Sequence, residues 1–199
     1  MTRNVTKTTL CSTLAIATAM VMGPRPAMAQ AFIGTVTSST GVNAPVNGAT
    51  TTFINVTAPQ AVINWDATGA ASGGVVTFQG SGTTATFSSG IDFAVLNRVN
   101  ASGNAIKLDG TINSFAGDFV GGTVYFSSAD GIIIGSNAVI NVGSLGLTTL
   151  PILDVLGNWM TDFGGIAPQV TFGAAANPAA GITTAPLSEL NAKIGRAHV

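Results

Sequence analysis

The stretch that decides the fold runs from Gly121 to Leu150 and reads GGTVYFSSADGIIIGSNAVINVGSLGLTTL. In it, short groups of β-branched and aromatic residues alternate with small polar residues, and Gly, Asn, Asp or Ser interrupts them every few positions. Successive side chains of a strand point to opposite faces, so Val124 and Phe126 share one face, as do Ile132 and Ile134. The stretch therefore predicts several short strands separated by tight turns, and no helix.

Similar apolar pairs recur outside this stretch. Leu108 and Phe126 are 18 positions apart, and Phe126 and Val142 are 16 positions apart. A strand pattern that recurs every ~16–20 residues with glycine-rich corners is typical of a coil that stacks on copies of itself. We therefore expect an all-β solenoid in residues 30–193. Residues 32–57 are expected to form an N-terminal β cap, because the first coil would otherwise expose an edge that pairs with other chains.

The composition indicates one folded domain. Charged residues make up 8% of the 199 residues and apolar residues 46%, whereas disordered segments are usually charged and poor in β-branched residues. Residues 30–193 contain three basic and eight acidic residues, a net charge of −5. Because nucleic-acid phosphates require clustered Lys and Arg, we expect no nucleic-acid partner.

Residues 1–29 have the organisation of a bacterial signal peptide. Two basic residues precede an apolar run at residues 10–22, which is too short to span a bilayer comfortably. The small-x-small sequence Ala27-Met28-Ala29 follows. We expect the Sec machinery to carry the chain across the inner membrane and signal peptidase to cut between Ala29 and Gln30. The alternative is an uncleaved membrane anchor.

The other end of the chain is expected to be an artefact. Residues 194–199, IGRAHV, resemble a translated sequencing adapter, so we expect the native sequence to continue beyond residue 193 in a longer protein. The single histidine, His198, lies in this tail, and the single cysteine, Cys11, lies in the signal peptide. Residues 30–193 therefore lack the side chains of Ser-His-Asp or Cys-His catalysis and of imidazole or thiolate metal sites.

The aspartates remain as candidates for paired carboxylate chemistry, but we interpret them as turn residues, since Asp commonly caps its own backbone in turns. No run of them has the spacing of a calcium loop. We expect no catalytic residue, metal or cofactor, and no enzyme. The aspartates concerned are Asp66, Asp92, Asp109, Asp118, Asp130 and Asp154.

Four other side chains have a structural and a functional interpretation. Arg98 and Lys107 are expected to pair with an outward-pointing aspartate such as Asp109. Trp65 and Trp159 could stack on a sugar ring, but we favour a role in covering an end of the hydrophobic stack.

Residues 151–165 have the mixed spacing of a short helix or an excursion from the coil.

Six segments within a span of about 90 residues carry a resemblance to a known family: QAVINWD (60–66), VTFQGSGTTATF (76–87), DFAVLNRV (92–99), GTI (110–112), GGTVYFSSADGIIIG (121–135) and AVINVGSLGLTTL (138–150). In order and spacing they resemble the N-terminal secretion (TPS) domain of filamentous haemagglutinin-like proteins of two-partner secretion systems, in its sphingomonad-type variant. Many family members carry Asn-Pro-Asn-Gly where this chain has Ser-Ala-Asp-Gly at residues 128–131.

The resemblance implies a right-handed parallel β-helix. It implies export by the Sec route, followed by recognition by the periplasmic POTRA modules of a partner outer-membrane transporter, and display at the cell surface. The adhesive part, whose host or cell-surface ligand stays open, would lie beyond residue 193. The resemblance further implies that recognition residues lie in three of the matched segments, at Asn64, Trp65, Asp66, Asn97, Arg98, Ser128, Ala129, Asp130, Gly131 and Ile132.

Two alternatives to an adhesin remain open. The same module could be the secretion head of a contact-dependent toxin, which would differ only in the part beyond residue 193. A β-helical enzyme that acts on polysaccharides would require aspartates clustered with Arg or Lys on one face of a sheet.

Overall fold

The computed structural model describes residues 30–153, 159–161, 169–186 and 189–194. Within these residues the chain forms strands and no helix, so the predicted all-β class is confirmed. No helix in this part of the chain is long and apolar enough to cross a membrane. The strands are β1 (Gly34–Thr40), β2 (Val46–Asn47), β3 (Thr51–Asn55), β4 (Gln60–Ala67), β5 (Ala71–Ser72), β6 (Val75–Gln79), β7 (Thr84–Ser89), β8 (Ala94–Asn100), β9 (Ala105–Leu108), β10 (Thr111–Ala116), β11 (Phe119–Val120), β12 (Thr123–Ser127), β13 (Ile132–Ile134), β14 (Val139–Thr148), β15 (Met160–Thr161), β16 (Gln169–Val170), β17 (Ile182–Thr184) and β18 (Glu189–Ile194).

Most strands belong to three parallel ladders. Ladder 1 joins β4, β8, β12 and the C-terminal half of β14. Ladder 2 joins β3, β7, β10 and the N-terminal half of β14, and ladder 3 joins β6, β9, β13 and β17. β18 pairs with β14. Along the sequence the chain passes from ladder 2 to ladder 1 to ladder 3 and then returns to ladder 2.

The recurrence along each ladder is longer than the sequence suggested. Thr84 pairs with Thr111, and Thr111 pairs with Val139, which are steps of 27 and 28 positions. Leu108 belongs to ladder 3 and Phe126 to ladder 1. The predicted repeat of 16–20 residues is therefore wrong, because it compares strands of different ladders. Alternation marks each strand, but it does not identify the strand's partner.

The inward faces of the three ladders enclose one hydrophobic core. Its members come from alternate positions of each strand, as a period of two requires. The predicted face sharing of Val124 with Phe126 and of Ile132 with Ile134 is confirmed, since all four side chains are buried. The core includes Ile63, Phe87, Val95, Ile106, Leu108, Ile112, Val124, Phe126, Ile132, Ile134 and Ile140.

The first strand of each ladder also has an antiparallel neighbour. β1 pairs with β4, β2 with β3 and β5 with β6. The region predicted as a cap, residues 32–57, thus contains β1 and β2, but it also contains β3, which is the first strand of ladder 2. Phe32 lies before β1 and is fully buried. Its ring stacks on Phe78 with a centroid distance of 4.9 Å and lies edge-on to Trp65 at 5.5 Å.

Two glycines, Gly122 and Gly143, form the corner at which β14 crosses from ladder 2 to ladder 1. A Cβ atom on Gly143 would lie 2.6 Å from the carbonyl oxygen of Gly122, and one on Gly122 would overlap the ring of Phe93. Ser114 closes the corner, since its Oγ donates to the carbonyl oxygen of Gly121 at 2.6 Å. Gly122 and Gly143 are therefore required at this corner, where a Cβ atom would meet the Phe93 ring or a neighbouring backbone.

After β14 the chain leaves the ladders and folds over the outer face of ladder 1. We call the described residues 149–153, 159–161 and 169–173 the strap. In it β15 pairs antiparallel with β16, and Ile152 pairs with Phe172. The predicted excursion is confirmed, whereas its described residues form no helix. Trp159 is buried on this outer face, so the prediction that it covers an end of the stack is wrong. Trp65 lies inside the core.

Candidate functional site

A groove of about 270 Å³ lies at the carboxyl ends of the ladder 1 strands. Parallel pairing places equivalent strand ends side by side, and the turn after β12 closes one side of the groove. Six of the ten residues that the family resemblance marked line this groove: Asn64, Trp65, Asp66, Arg98, Ala129 and Asp130. Residues from segments more than 60 positions apart thus meet in one place.

The register of ladder 1 explains why polar side chains meet there. Asn64 pairs with Arg98, and Arg98 pairs with Ser127. Paired residues of a parallel ladder point to the same face, and neighbouring strands lie ~4.8 Å apart. Ser127 also lines the groove but is absent from the predicted set. Its position follows only once the partner of Arg98 is known.

Asn97 lies on the inward face of ladder 1 and not in the groove. Its Oδ1 accepts a hydrogen bond from Trp65 Nε1 at 3.1 Å, and its Nδ2 donates to the carbonyl oxygen of Tyr125 at 3.1 Å. Asn97 is fully buried, and a buried amide needs such partners to offset its desolvation. It therefore links three strands from within the core.

The turn at residues 128–131 leads from ladder 1 to ladder 3. Ser128 N donates to the carbonyl oxygen of Thr148 at 3.1 Å, and Gly131 N donates to that of Ser128 at 3.3 Å. Gly131 has a φ of +121°, a conformation that glycine adopts readily and other residues avoid. Ile132 is buried in the core. The turn glycine is thus a backbone requirement, whereas Ala129 and Asp130 face the groove.

Arg98 forms a hydrogen bond with the strap instead of the predicted ion pair with an aspartate. Its Nη2 donates to the carbonyl oxygen of Ile152 at 2.9 Å. The ion pair found among the described residues is that of Lys107 with Asp109, with 2.8 Å between Nζ and Oδ2. The predicted pairing is therefore confirmed for Lys107 and wrong for Arg98, because the strap offers the guanidinium a nearer acceptor.

The two groove carboxylates are bound by amide side chains. Asp66 Oδ1 accepts from Asn100 Nδ2 at 2.9 Å, and Asp130 Oδ1 accepts from Asn177 Nδ2 at 3.5 Å. Asp66 belongs to β4, so its interpretation as a turn residue is wrong. Its register partner in ladder 1 is Asn100, which explains this bond. Asp130 lies in a turn, as predicted.

Asp109 lies outside the groove, and its carboxylate is buried against Lys107 and Asn137. It is 6% exposed. Its carboxylate accepts from Lys107 Nζ at 2.8 Å and from Asn137 N at 3.0 Å. Burial raises the pKa of this carboxyl, but the hydrogen bonds from Lys107 and Asn137 together outweigh burial and leave the pKa below its usual value.

Replacing Asp109 with asparagine is expected to reduce the free energy of unfolding at pH 7 by about 1–3 kcal/mol, because a buried network loses its negative charge and one of its two acceptor oxygens. The folded pKa is lowered, so the carboxylate stabilises the fold above its unfolded pKa of about 3.9, and this contribution is lost as the pH falls through the folded pKa. Urea unfolding of both proteins between pH 7 and pH 2.5 should show the difference shrinking below about pH 4.

Asp118 provides the matched control for this prediction. It is exposed in the turn between β10 and β11, so Asp118→Asn should leave the unfolding free energy within about 0.5 kcal/mol of the unsubstituted value. Equal stabilities of Asp109→Asn and the unsubstituted chain at pH 7 would contradict the assigned role of the Asp109 network.

The groove combines one guanidinium, two carboxylates and two side-chain amides, a set suited to polar contacts with a protein surface. No group of three or more potential His, Cys, Asp or Glu ligands for a metal occurs in the part of the chain that the structure describes.

The polysaccharide-enzyme alternative requires aspartates beside Arg or Lys on one face. Asp66, Arg98 and Asp130 share the groove, while Asp109 is bound to Lys107 elsewhere. The absence of enzymatic activity stays a prediction.

Comparisons with known proteins assign no family to the chain. No protein-family model matches it, and no curated protein matches it.

Proposed function

We propose that residues 30–193 form the N-terminal secretion domain of a large exported surface adhesin, recognised by the POTRA modules of a partner outer-membrane transporter. The observation that carries this proposal is the repeated passage of the chain through ladders 2, 1 and 3 in one order. That order is the one expected of a parallel β-helix with an N-terminal β cap. We assign it a right-handed sense, because crossovers between parallel strands of one sheet are almost always right-handed.

A stack of this kind suits export without an energy source outside the inner membrane. After the first strand of each ladder, every strand of that ladder pairs with the preceding one, for example at a distance of 27 positions from Thr84 to Thr111. A newly exported coil can therefore bury its apolar residues on the coil that already lies outside. Burial of apolar surface is favourable and the contacts are sequential, so folding proceeds outward and opposes back-sliding of the chain.

The proposed recognition surface is the groove at the carboxyl ends of ladder 1. It unites residues from three of the segments that carry the family resemblance. Its lining is mixed, and its carboxylates and amides can bond to backbone and side-chain groups of a periplasmic partner. The predicted signal peptide would deliver the chain to the periplasm, where POTRA modules lie, and the transporter would then place it at the cell surface.

An export assay with one groove substitution tests this proposal. Ala129 lines the groove, and no side-chain hydrogen bond depends on it. Ala129→Arg would fill the groove, so we expect surface export of the full-length protein to fall at least about tenfold in cells that contain the partner transporter, which corresponds to ~1.4 kcal/mol of binding. Immunodetection on intact cells measures the exported fraction.

Asn113→Arg is the matched control, since it adds the same side chain on the outer face of ladder 2, away from the groove. It should be exported normally, and circular dichroism should give the same spectrum for both variants. Normal export of Ala129→Arg would show that the groove is not part of the recognition surface. Normal export after deletion of residues 121–150 would contradict the secretion function itself.

A further inference from the structure

The side chain of Gln60, the first residue of β4, holds the strap on ladder 1. Gln60 Nε2 donates to the carbonyl oxygen of Met160 at 2.7 Å, and Met160 N donates to Gln60 Oε1 at 3.2 Å. One side-chain amide thus satisfies both backbone groups of Met160, as a neighbouring strand would. The two residues are 100 positions apart in sequence, so this pair forms only when β4 and the strap are both in place.

A second anchor holds the base of the strap. Arg98 Nη2 binds the carbonyl oxygen of Ile152, and the adjacent residue Leu153 donates its N–H to Thr171 at 2.9 Å. The base is therefore a small antiparallel unit with its own hydrogen bonds. Its links to ladder 1 are made through side chains, since Ser127 Oγ also donates to the carbonyl oxygen of Leu150 at 3.3 Å. No strand pairing joins the strap to the ladders among the described residues.

Between the two anchors lies an apolar seat that is separate from the main core. Leu96 from β8 and Trp159 from the strap are buried there together. The Tyr125 ring lies edge-on to Trp159 with a centroid distance of 5.1 Å. Tyr125 can lie flat in this seat because its register partner is Gly146, where a Cβ atom would overlap the ring. Without the strap this outer face would be an exposed apolar surface.

We infer that the strap is a latch that docks on ladder 1 after β4, β8 and β12 have assembled, and that opens as one unit while the ladders stay folded. Its seat and anchors come from all three of these strands. Its internal pairing does not contribute to the main core, so it can detach without breaking a ladder. Proteins commonly open in such local units at a free energy below that of global unfolding. This inference does not depend on the proposed function.

Amide hydrogen exchange of the chain with Gln60→Ala tests the latch. The Leu153 amide bonds to Thr171 and has no contact with Gln60, so its exchange reports opening of the whole strap. We expect Leu153 and Met160 to exchange about tenfold faster, since the loss of two hydrogen bonds is worth about 1.4 kcal/mol. The Ile106 amide in ladder 3, bonded to the carbonyl oxygen of Gly131 at 3.0 Å, should exchange at its original rate.

Asn113→Ala, on the outer face of ladder 2, is the control and should change none of these rates. Faster exchange at Met160 alone would overturn the latch, because only the directly bonded amide would then respond. Equal acceleration at Leu153, Met160 and Ile106 would also overturn it, because the strap would then open only with the ladders. Unchanged rates at all three amides would show that Gln60 does not hold the strap.

Discussion

Replacing Phe32 with alanine is expected to reduce the free energy of unfolding by about 3–5 kcal/mol, the range for removal of a fully buried phenylalanine ring. Phe32 is fully buried and lies at the centre of an aromatic group. Besides its contacts with Phe78 and Trp65, its ring lies edge-on to Phe126 at 5.9 Å and near Phe87 at 6.1 Å. Its removal leaves a cavity that rings from all three ladders would have to fill. Urea unfolding followed by circular dichroism measures the loss.

Phe119 gives the comparison for this substitution, because it is the same residue type and is 79% exposed in β11. Phe119→Ala should change the unfolding free energy by no more than about 0.5 kcal/mol. If Phe32→Ala is as stable as Phe119→Ala, residues before β1 do not contribute to the core, and the assignment of Phe32 to it fails.

Replacing Gly122 with alanine is expected to destabilise the chain by about 2–5 kcal/mol. Two effects add at this position. Its φ of +77° costs a residue with a Cβ about 1–2 kcal/mol, and the added methyl group would overlap the buried ring of Phe93, which costs about 1–3 kcal/mol. The same corner carries the crossing of β14 between two ladders, so relaxation would disturb Gly143 as well. Thermal and urea unfolding give the value.

Gly117 separates the two effects. Its φ of +62° also requires the left-handed conformation, but a Cβ there would meet nothing within 4 Å. Gly117→Ala should therefore cost only about 1–2 kcal/mol. Equal losses for Gly117→Ala and Gly122→Ala would show that contact with Phe93 does not constrain the corner.

The sequence predicted the strands well because their signal is local. Alternation of apolar and polar residues is a property of neighbouring positions, and it located pairs such as Ile132 and Ile134 on the buried face. Pairing between strands has no such local signal. Nothing near Thr84 indicates that its partner is Thr111, and a comparison of the most similar apolar pairs joined strands of different ladders and gave too short a repeat.

Only part of the groove could be predicted, because strand pairing has no local signal in the sequence. The family resemblance marked Asn64, Arg98 and Asp130 as residues of separate segments, but their meeting depends on the register of ladder 1. The burial of Asp109 could not be predicted either, because it depends on Asn137, a residue 28 positions later that donates to its carboxylate. The role of Gln60 depends on a contact 100 positions away.

Transporter-dependent export is the most direct test of the proposed secretion function. Residues 1–193 fused to a reporter protein would be expressed in a Gram-negative host with and without the partner transporter gene, and the reporter would be measured on intact cells. The proposal predicts reporter at the surface only when the transporter is present, and in the periplasm when it is absent. A reporter that stays in the periplasm in the presence of the transporter would contradict the proposal.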